Sequence, residues 1–300
     1  MTAPRFRFDA APGDRIGAHL STRGGVHAIF DRAKAINASA AALFSKNANQ
    51  WKAKPLSDDD CARFASARAD LNLQPILVHA AYLINLGTTN NEFLAKSIAG
   101  LIDELQRAEK LGIHALVLHP GAHMGAGTKE GIEKIARSLD AVHRSLPDHR
   151  VVTLLETAAG QGSCVGCTFE ELGAILNLID DKARVGVCFD TCHVFSAGYD
   201  IRTRDGYERT IDDLDRHVGI ENVGAFHLND SKKGLGSRVD RHQHIGDGEI
   251  GLDAFAFLLN DTRFRGIPKV LETPKKNGEN VDDIRNLATL RTLISQPAAA

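Results

Sequence analysis

Apolar positions along the chain gather into eight short runs bounded by turn chemistry: Ile16–His19, Ala40–Phe44, Pro75–His79, Ala115–His119, Val151–Glu156, Val185–Asp190, Gly224–Leu228 and Lys269–Glu272. Runs of this length, rich in small and β-favouring residues, predict buried strands. Between them the apolar residues recur at helical spacing, most clearly over Asp59–Asp70, Asn91–Leu111, Lys129–Leu146, Thr168–Ile179, Asp205–Val218, Leu252–Leu259 and Val281–Ile294. Ser57 and Thr168 are N-cap candidates, and Thr168 is followed by Glu170 and Glu171 in the first turn, where the helix dipole favours acids.

A strand followed by a helix, repeated eight times, predicts a parallel sheet, because each return to the same sheet edge needs a crossover. Eight such units close into a (β/α)8 TIM barrel, and 300 residues leave no room for a second domain beside it. The expected layout is a flexible N-terminal extension over 1–14, a barrel domain over 15–295 and a short tail over 296–300. Closure brings the C-terminal end of every strand to one face.

Those ends are polar. His79, His119, Glu156, Asp190, His227 and Glu272 terminate or nearly terminate six of the runs, and His193 follows Asp190 by three residues. Asp240 and His242 come from VDRHQH, in the long connection after the seventh run, where D-x-H spacing on an extended segment puts both side chains on one side. Any one Asp at a strand end also reads as a helix cap, and any one His as a satisfied core residue. Nine such residues at one mouth read as a metal centre. Four carboxylates held together raise one another's pKa and oppose folding unless cations answer them. With five imidazoles and no Cys, the set suits Zn²⁺ and also Mn²⁺ or Fe²⁺. Nine donors exceed what one tetrahedral zinc uses and serve two or three ions. Three divalent ions against four carboxylates leave about +2 of formal charge, which suits a phosphodiester and its in-line hydrolysis by an activated water. His114, His143, His149 and His217 are read as solvated, and His19 as a neighbour of the donor set.

Composition narrows the setting. Hydrophobic residues at 43% and charged residues at 25% describe an ordinary globular chain, and no apolar stretch approaches the ~18 residues that a membrane span needs. A net charge of −2 gives no global attraction to nucleic acid, so a DNA site has to be local. Five cysteines, an odd number with no secretory signal ahead of them, point to a reducing cytoplasm. Cys164 and Cys167 form a C-x-x-C without a second pair, and HMGAGTKEG meets no phosphate-loop pattern.

The motifs IGAHLSTRGG, HPGAH, LETAAGQGS, GVCFDTCHVFSAGYD, FHLNDSK, GSRVDRHQHIGDGEIG and LETP occur in that order from Ile16 to Glu272. Together they resemble endonuclease IV, the zinc-dependent apurinic/apyrimidinic endonuclease of base excision repair. The resemblance implies three Zn²⁺ per chain: one on His79, His119 and a bridging Glu156, a second on Glu156, Asp190, His227 and Glu272, and a third on His193, Asp240 and His242. It implies Glu156 and Glu272 as catalytic carboxylates, with Glu272 assisting deprotonation of the nucleophile. The implied partner is double-stranded DNA with abasic sites or blocked 3′ ends, nicked 5′ to the lesion by a monomeric, DNA-associated cytoplasmic enzyme. DNA contacts are expected from Asn49, Gln50, Tyr82, Lys232, Arg238 and Arg241, and Trp51 is read as packing. Asn49 stands where the family often has Arg, which bears on lesion binding. A sugar isomerase on the same barrel with a single metal, and a lesion-binding module without turnover, remain as alternatives.

Overall fold

Among the described residues, eight parallel strands pair edge to edge and close on themselves: β1 (Ile16–Leu20), β2 (Ala40–Leu43), β3 (Ile76–His79), β4 (Ala115–Leu118), β5 (Val152–Glu156), β6 (Val185–Asp190), β7 (Val223–His227) and β10 (Lys269–Leu271). The closing pair sets Ile16 against Lys269 and Ala18 against Leu271. Helices α1 (Ala28–Ala35), α2 (Asp58–Leu71), α3 (Asn91–Lys110), α4 (Thr128–Ser145), α5 (Phe169–Leu178), α6 (Thr191–Ala197), α7 (Arg204–His217) and α8 (Leu252–Leu259) provide the crossovers, and α9 (Val281–Leu293) follows the last strand. A small antiparallel pair, β8 (Asp230–Ser231) with β9 (His242–Gln243), folds over the mouth. This computed structural model describes residues 5–6, 15–71, 73–278 and 280–295.

Period-two alternation divides the core in two. Ala42, Leu77, Ala115, Val117, Leu154, Cys188, Ala225 and Val270 pack together inside the ring. Their neighbours Ala41, Leu43, Ile76, Val78, Leu116, Leu118, Leu155, Val187, Phe189, Phe226 and Leu271 face outward and join the helices in the larger core. Each fully buried branched side chain contributes roughly 1.5–3 kcal/mol. The inward series then continues one step beyond the apolar layers. His79 follows Leu77, His119 follows Val117, Glu156 follows Leu154, Asp190 follows Cys188, His227 follows Ala225, and Glu272 follows Val270. The same parity that fills the barrel therefore delivers the polar residues to its axis.

Helix starts follow the sequence cues. Thr168 Oγ1 accepts the Glu171 amide at 3.3 Å, and Ser57 and Asp60 form a reciprocal capping box, Ser57 Oγ accepting the Asp60 amide at 3.1 Å. Two helices lie outside the clear periodic patterns. In α1, AIFDRAKA is short and its N-cap His27 makes no side-chain capping bond. In α6, every residue from Thr191 to Ser196 is buried, so it carries no amphipathic period. His193 consequently rides on this helix rather than on the strand before it. The reading of His143 as solvated is corrected: it is 5% exposed on the face of α4 turned inward, and burial followed by the nearby Arg184 guanidinium pushes it down to about 4.

The expected flexible segment over 1–14 and tail over 296–300 lie outside the described residues, apart from Arg5 and Phe6. Those two are docked. The Arg5 amide donates to Glu221 O at 2.9 Å, and Phe6 packs below the inner core where Gly186 and Gly224 leave space. A Cβ at Gly186 would come within 2.5 Å of the Phe6 ring.

Candidate metal centre

Glu156, with no exposure, occupies the middle of the C-terminal mouth. Its two oxygens face different groups. Oε2 lies 3.2 Å from His79 Nε2 and 3.4 Å from His119 Nε2, while Oε1 lies 2.7 Å from His227 Nδ1 and 3.5 Å from His193 Nδ1. Glu272 Oε2 is 3.2 Å from His227 Nδ1. Asp240 reaches in from the long loop, with Oδ2 at 3.3 Å from His193 Nε2 and Oδ1 at 3.2 Å from His242 Nε2. Asp190 Oδ2 lies 3.8 Å from His242 Nε2 and 3.9 Å from His227 Nδ1. All nine residues expected at the mouth meet there.

Backbone groups orient the rings. His79 Nδ1 donates to Ala80 O at 2.8 Å, His193 Nδ1 to Thr157 O at 2.8 Å, and His242 Nδ1 to Glu272 O at 3.2 Å. Each of these bonds fixes the tautomer whose bare Nε2 faces the carboxylates, the form a metal requires. Asp190 is both a strand-end carboxylate and a helix cap, since Oδ1 accepts the His193 amide at 2.9 Å. Its other oxygen accepts from Asn229 Nδ2 at 2.6 Å, and Asn229 Oδ1 accepts the Glu272 amide at 2.9 Å. Asp230 anchors the loop that carries Asp240 and His242, accepting the amides of Ser231, Gly246, Gly248 and Ile250 at 2.7–3.1 Å.

The electrostatics call for positive charge. Burial opposes ionisation of Glu156, yet His119 and His227 hold its carboxyl well below the usual range. Burial likewise works against Asp240, but His193 and His242 bring it down to about 2. His193, which burial alone would lower, is lifted well above the ordinary imidazole value by Asp190, Asp240 and Glu156. Glu156 therefore stays ionised in a dry place, and Asp240 nearer the rim, and both draw in either protons or metal ions. Side chains able to hold an ion fall into close groups: His79, Glu156, His227 and Glu272; Asp190, His193 and His242; and Cys192, Asp240 and His242. Five imidazoles with four carboxylates, the tautomers of His79, His193 and His242 preset, fit divalent metal ions.

Cys192 is the one member that the sequence reading left out. It sits on α6 within ligand distance of Asp240 and His242, and burial with the neighbouring Asp190 pushes its thiol up to about 12, which favours the neutral thiol where no cation answers it. A further grouping, Glu170, Asp213 and His217, lies on the outer faces of α5 and α7, where surface ion pairs account for it. Cys164 and Cys167 are free thiols and belong to none of these groups.

Two clefts flank the centre. One, of about 280 Å³, is bordered by Tyr82, His119, Gln161, Cys164, His193 and Asp240. The other, of about 470 Å³, is bordered by His19, Arg23, Phe44, Lys46, Asn47 and Lys275. Burial holds His19 down to about 3, and its ring lies tilted against Phe44, centroids 4.4 Å apart, beside His79. Tyr82, 59% exposed, stands on the rim with its ring 5.7 Å from His79 and 6.3 Å from His119. Asn49, Gln50, Lys232, Arg238 and Arg241 are exposed or half-exposed on mouth loops, whereas Trp51 is half-buried against Phe93 at 5.3 Å. No helix among the described residues is long and apolar enough to cross a membrane.

A closed parallel barrel with a cluster of candidate metal ligands at its C-terminal mouth has the build of a metal-dependent barrel enzyme, and the family model of the xylose isomerase-like TIM barrel matches residues 30–292. Within that class the likeness is specific. The chain is 47% identical over 284 residues to a probable endonuclease 4 of Chloroflexus aurantiacus, covering 93% of this chain and 98% of that protein. It is 44% identical over 280 residues to one of Trichlorobacter lovleyi, covering 93% and 99%. The crystal structure of endonuclease IV from Thermus thermophilus superposes with a TM-score of 0.83 at 36% identity, covering 93% of this chain and 98% of that one. A D-tagatose 3-epimerase-like protein, at 19% identity and a TM-score of 0.69, shares the fold alone. The chain belongs to the endonuclease IV family and is a DNA-repair nuclease, a hydrolase.

Proposed function

We propose that the protein hydrolyses the phosphodiester 5′ to abasic sites in duplex DNA, leaving a 3′-hydroxyl and a 5′-deoxyribose phosphate, and that it also trims blocked 3′ ends. The observation that carries this reading is the central Glu156, whose two oxygens face two different sets of imidazoles, as a bridging carboxylate would. Three zinc ions are assigned to His79, His119 and Glu156; to Glu156, Asp190, His227 and Glu272; and to His193, Asp240 and His242. Bound there, such ions supply Lewis acidity toward phosphate oxygens and make water nucleophilic near neutral pH.

The chain's own groups supply the rest. Glu272 is 14% exposed, and burial notwithstanding, His227 and His79 keep its carboxyl below the usual range. It is therefore ionised at neutral pH and accepts the proton of the attacking water on a carboxylate oxygen. The new O–P bond forms as the P–O3′ bond breaks, and the departing oxygen takes up a proton. Asn49, Gln50 and Tyr82 meet the duplex at the lesion, and Lys232, Arg238 and Arg241 meet phosphates, on a chain whose net charge alone would not attract DNA. We place the enzyme as a monomer on cytoplasmic DNA.

A duplex containing a tetrahydrofuran abasic analogue tests the reading. With divalent metal present, a nick 5′ to the lesion is expected, together with about three zinc ions per chain. Failure to nick, or retention of one ion per chain, refutes it. Asp190→Ala should lower activity by orders of magnitude, and retained activity refutes the site assignment.

A further inference from the structure

The connection between β2 and α2 carries Asn47, Asn49 and Gln50 on a self-contained turn in which Asn47 Oδ1 accepts the Asn49 amide at 2.9 Å and Asn47 O accepts the Gln50 amide at 3.1 Å. Behind that tip the loop is fastened to α3. Lys46 Nζ donates to Asp103 Oδ2 at 2.9 Å and to Trp51 O at 3.3 Å, and lies 3.7 Å from Glu104 Oε1. Arg107 Nη2 donates to Lys54 O at 2.7 Å while its Nε holds Asp103. Trp51 packs edge-on against Phe93, and over Gly100, where a Cβ would come within 3.5 Å of the indole.

Glu104 links this anchor to a second mouth loop. Its Oε1 accepts the Ala81 amide at 2.9 Å, and Tyr82 is the next residue. The Glu104 side chain is 1% exposed and the Lys46 side chain 2% exposed. Lys46 is thus buried with its ammonium committed to α3 and Trp51, although it borders the larger cleft.

Resting on the nuclease reading above, we propose that Lys46 is a positioning residue for lesion binding: clamped between Asp103, Glu104 and Trp51 O, it holds the Asn47–Gln50 tip and the Tyr82 turn in one fixed relation. DNA then meets a preorganised surface instead of ordering two loops at its own expense. Removing one partner of a buried ion pair strands the other, whereas removing both does not. A loosened tip weakens binding in ground and transition states alike, so the effect falls on KM rather than kcat.

Trp51 is the chain's single tryptophan, which gives the loop its own fluorescent reporter. The experiment compares wild type, Lys46→Met, Lys46→Arg and the pair Lys46→Met/Glu104→Gln, by steady-state nicking of the abasic-analogue duplex and by acrylamide quenching of Trp51. Lys46→Met should raise KM by about tenfold, the cost of ordering the loosened tip on binding, with kcat within about twofold, and should make Trp51 more quenchable. Lys46→Arg should recover most of both. The double variant should regain thermal stability while KM stays high. An unchanged KM, a fall in kcat at constant KM, or unchanged quenching in Lys46→Met overturns the proposal. Should wild type fail to nick at all, the nuclease reading falls, and quenching still decides whether Lys46 holds the loop.

Discussion

Replacing Asn229 by Ala tests how the carboxylates are held. The side chain has no exposure and makes two bonds, Nδ2 to Asp190 Oδ2 at 2.6 Å and Oδ1 from the Glu272 amide at 2.9 Å. The first is charge-assisted and contributes about 1.5–3 kcal/mol, the second about 1 kcal/mol, so the loss should total roughly 2.5–4 kcal/mol. At about 2 °C per kcal/mol for a chain of this size, the metal-free protein should melt roughly 5–8 °C lower. Asp190 and Glu272 would also lose a common brace, and loss of such support lowers metal affinity about 10- to 100-fold. Two assays check this: thermal unfolding of the chelator-treated protein, and retention of zinc against a competing chelator. If the variant melts within about 1 °C of wild type and keeps its zinc equally well, Asn229 is not the brace described.

Three further outcomes are expected. His143 sits near 4 in the fold against an ordinary value of 6.5, so the unfolded chain binds more protons between those values; its stabilising effect is full above about pH 6.5 and falls away toward pH 4. His143→Leu should make the acid limb of a urea-stability profile shallower by about 3 kcal/mol over that window, and an unchanged limb contradicts the assignment. Asp230→Ala leaves four amides without their acceptor and should cost upwards of about 4 kcal/mol, with the loop over 231–250 becoming the first site of limited proteolysis. Stripping metal with a chelator should abolish nicking and lower Tm, and zinc at about 1,000 times its Kd should restore about 4 kcal/mol; a Tm indifferent to metal argues against the centre.

The strands were legible because strands of a parallel barrel are buried on both faces and read as unbroken apolar runs. Six of the donors were legible because they end those runs, and His193, Asp240 and His242 because they stand at short spacing from another donor. Helix α6 was not, since it starts directly at Asp190 with no turn between and is buried all round. Other features depend on partners far away in sequence, which spacing does not carry. Asn229 meets Asp190 across 39 positions and Glu272 across 43, and Lys46 meets Asp103 across 57. Cys192 escaped notice for a different reason: a cysteine amid histidines and acids reads as packing until its neighbours are known.

The inward series that ends in His79, His119, Glu156, Asp190, His227 and Glu272 has a consequence for how such a chain can diverge. One residue inserted within a strand would swing that strand's terminal group outward to the helix layer, and two would lift it by about 6.6 Å from its companions. Length variation among relatives should therefore collect in the connections and spare the staves, while exchange of the last inward residue alone would alter the chemistry and leave the vessel intact.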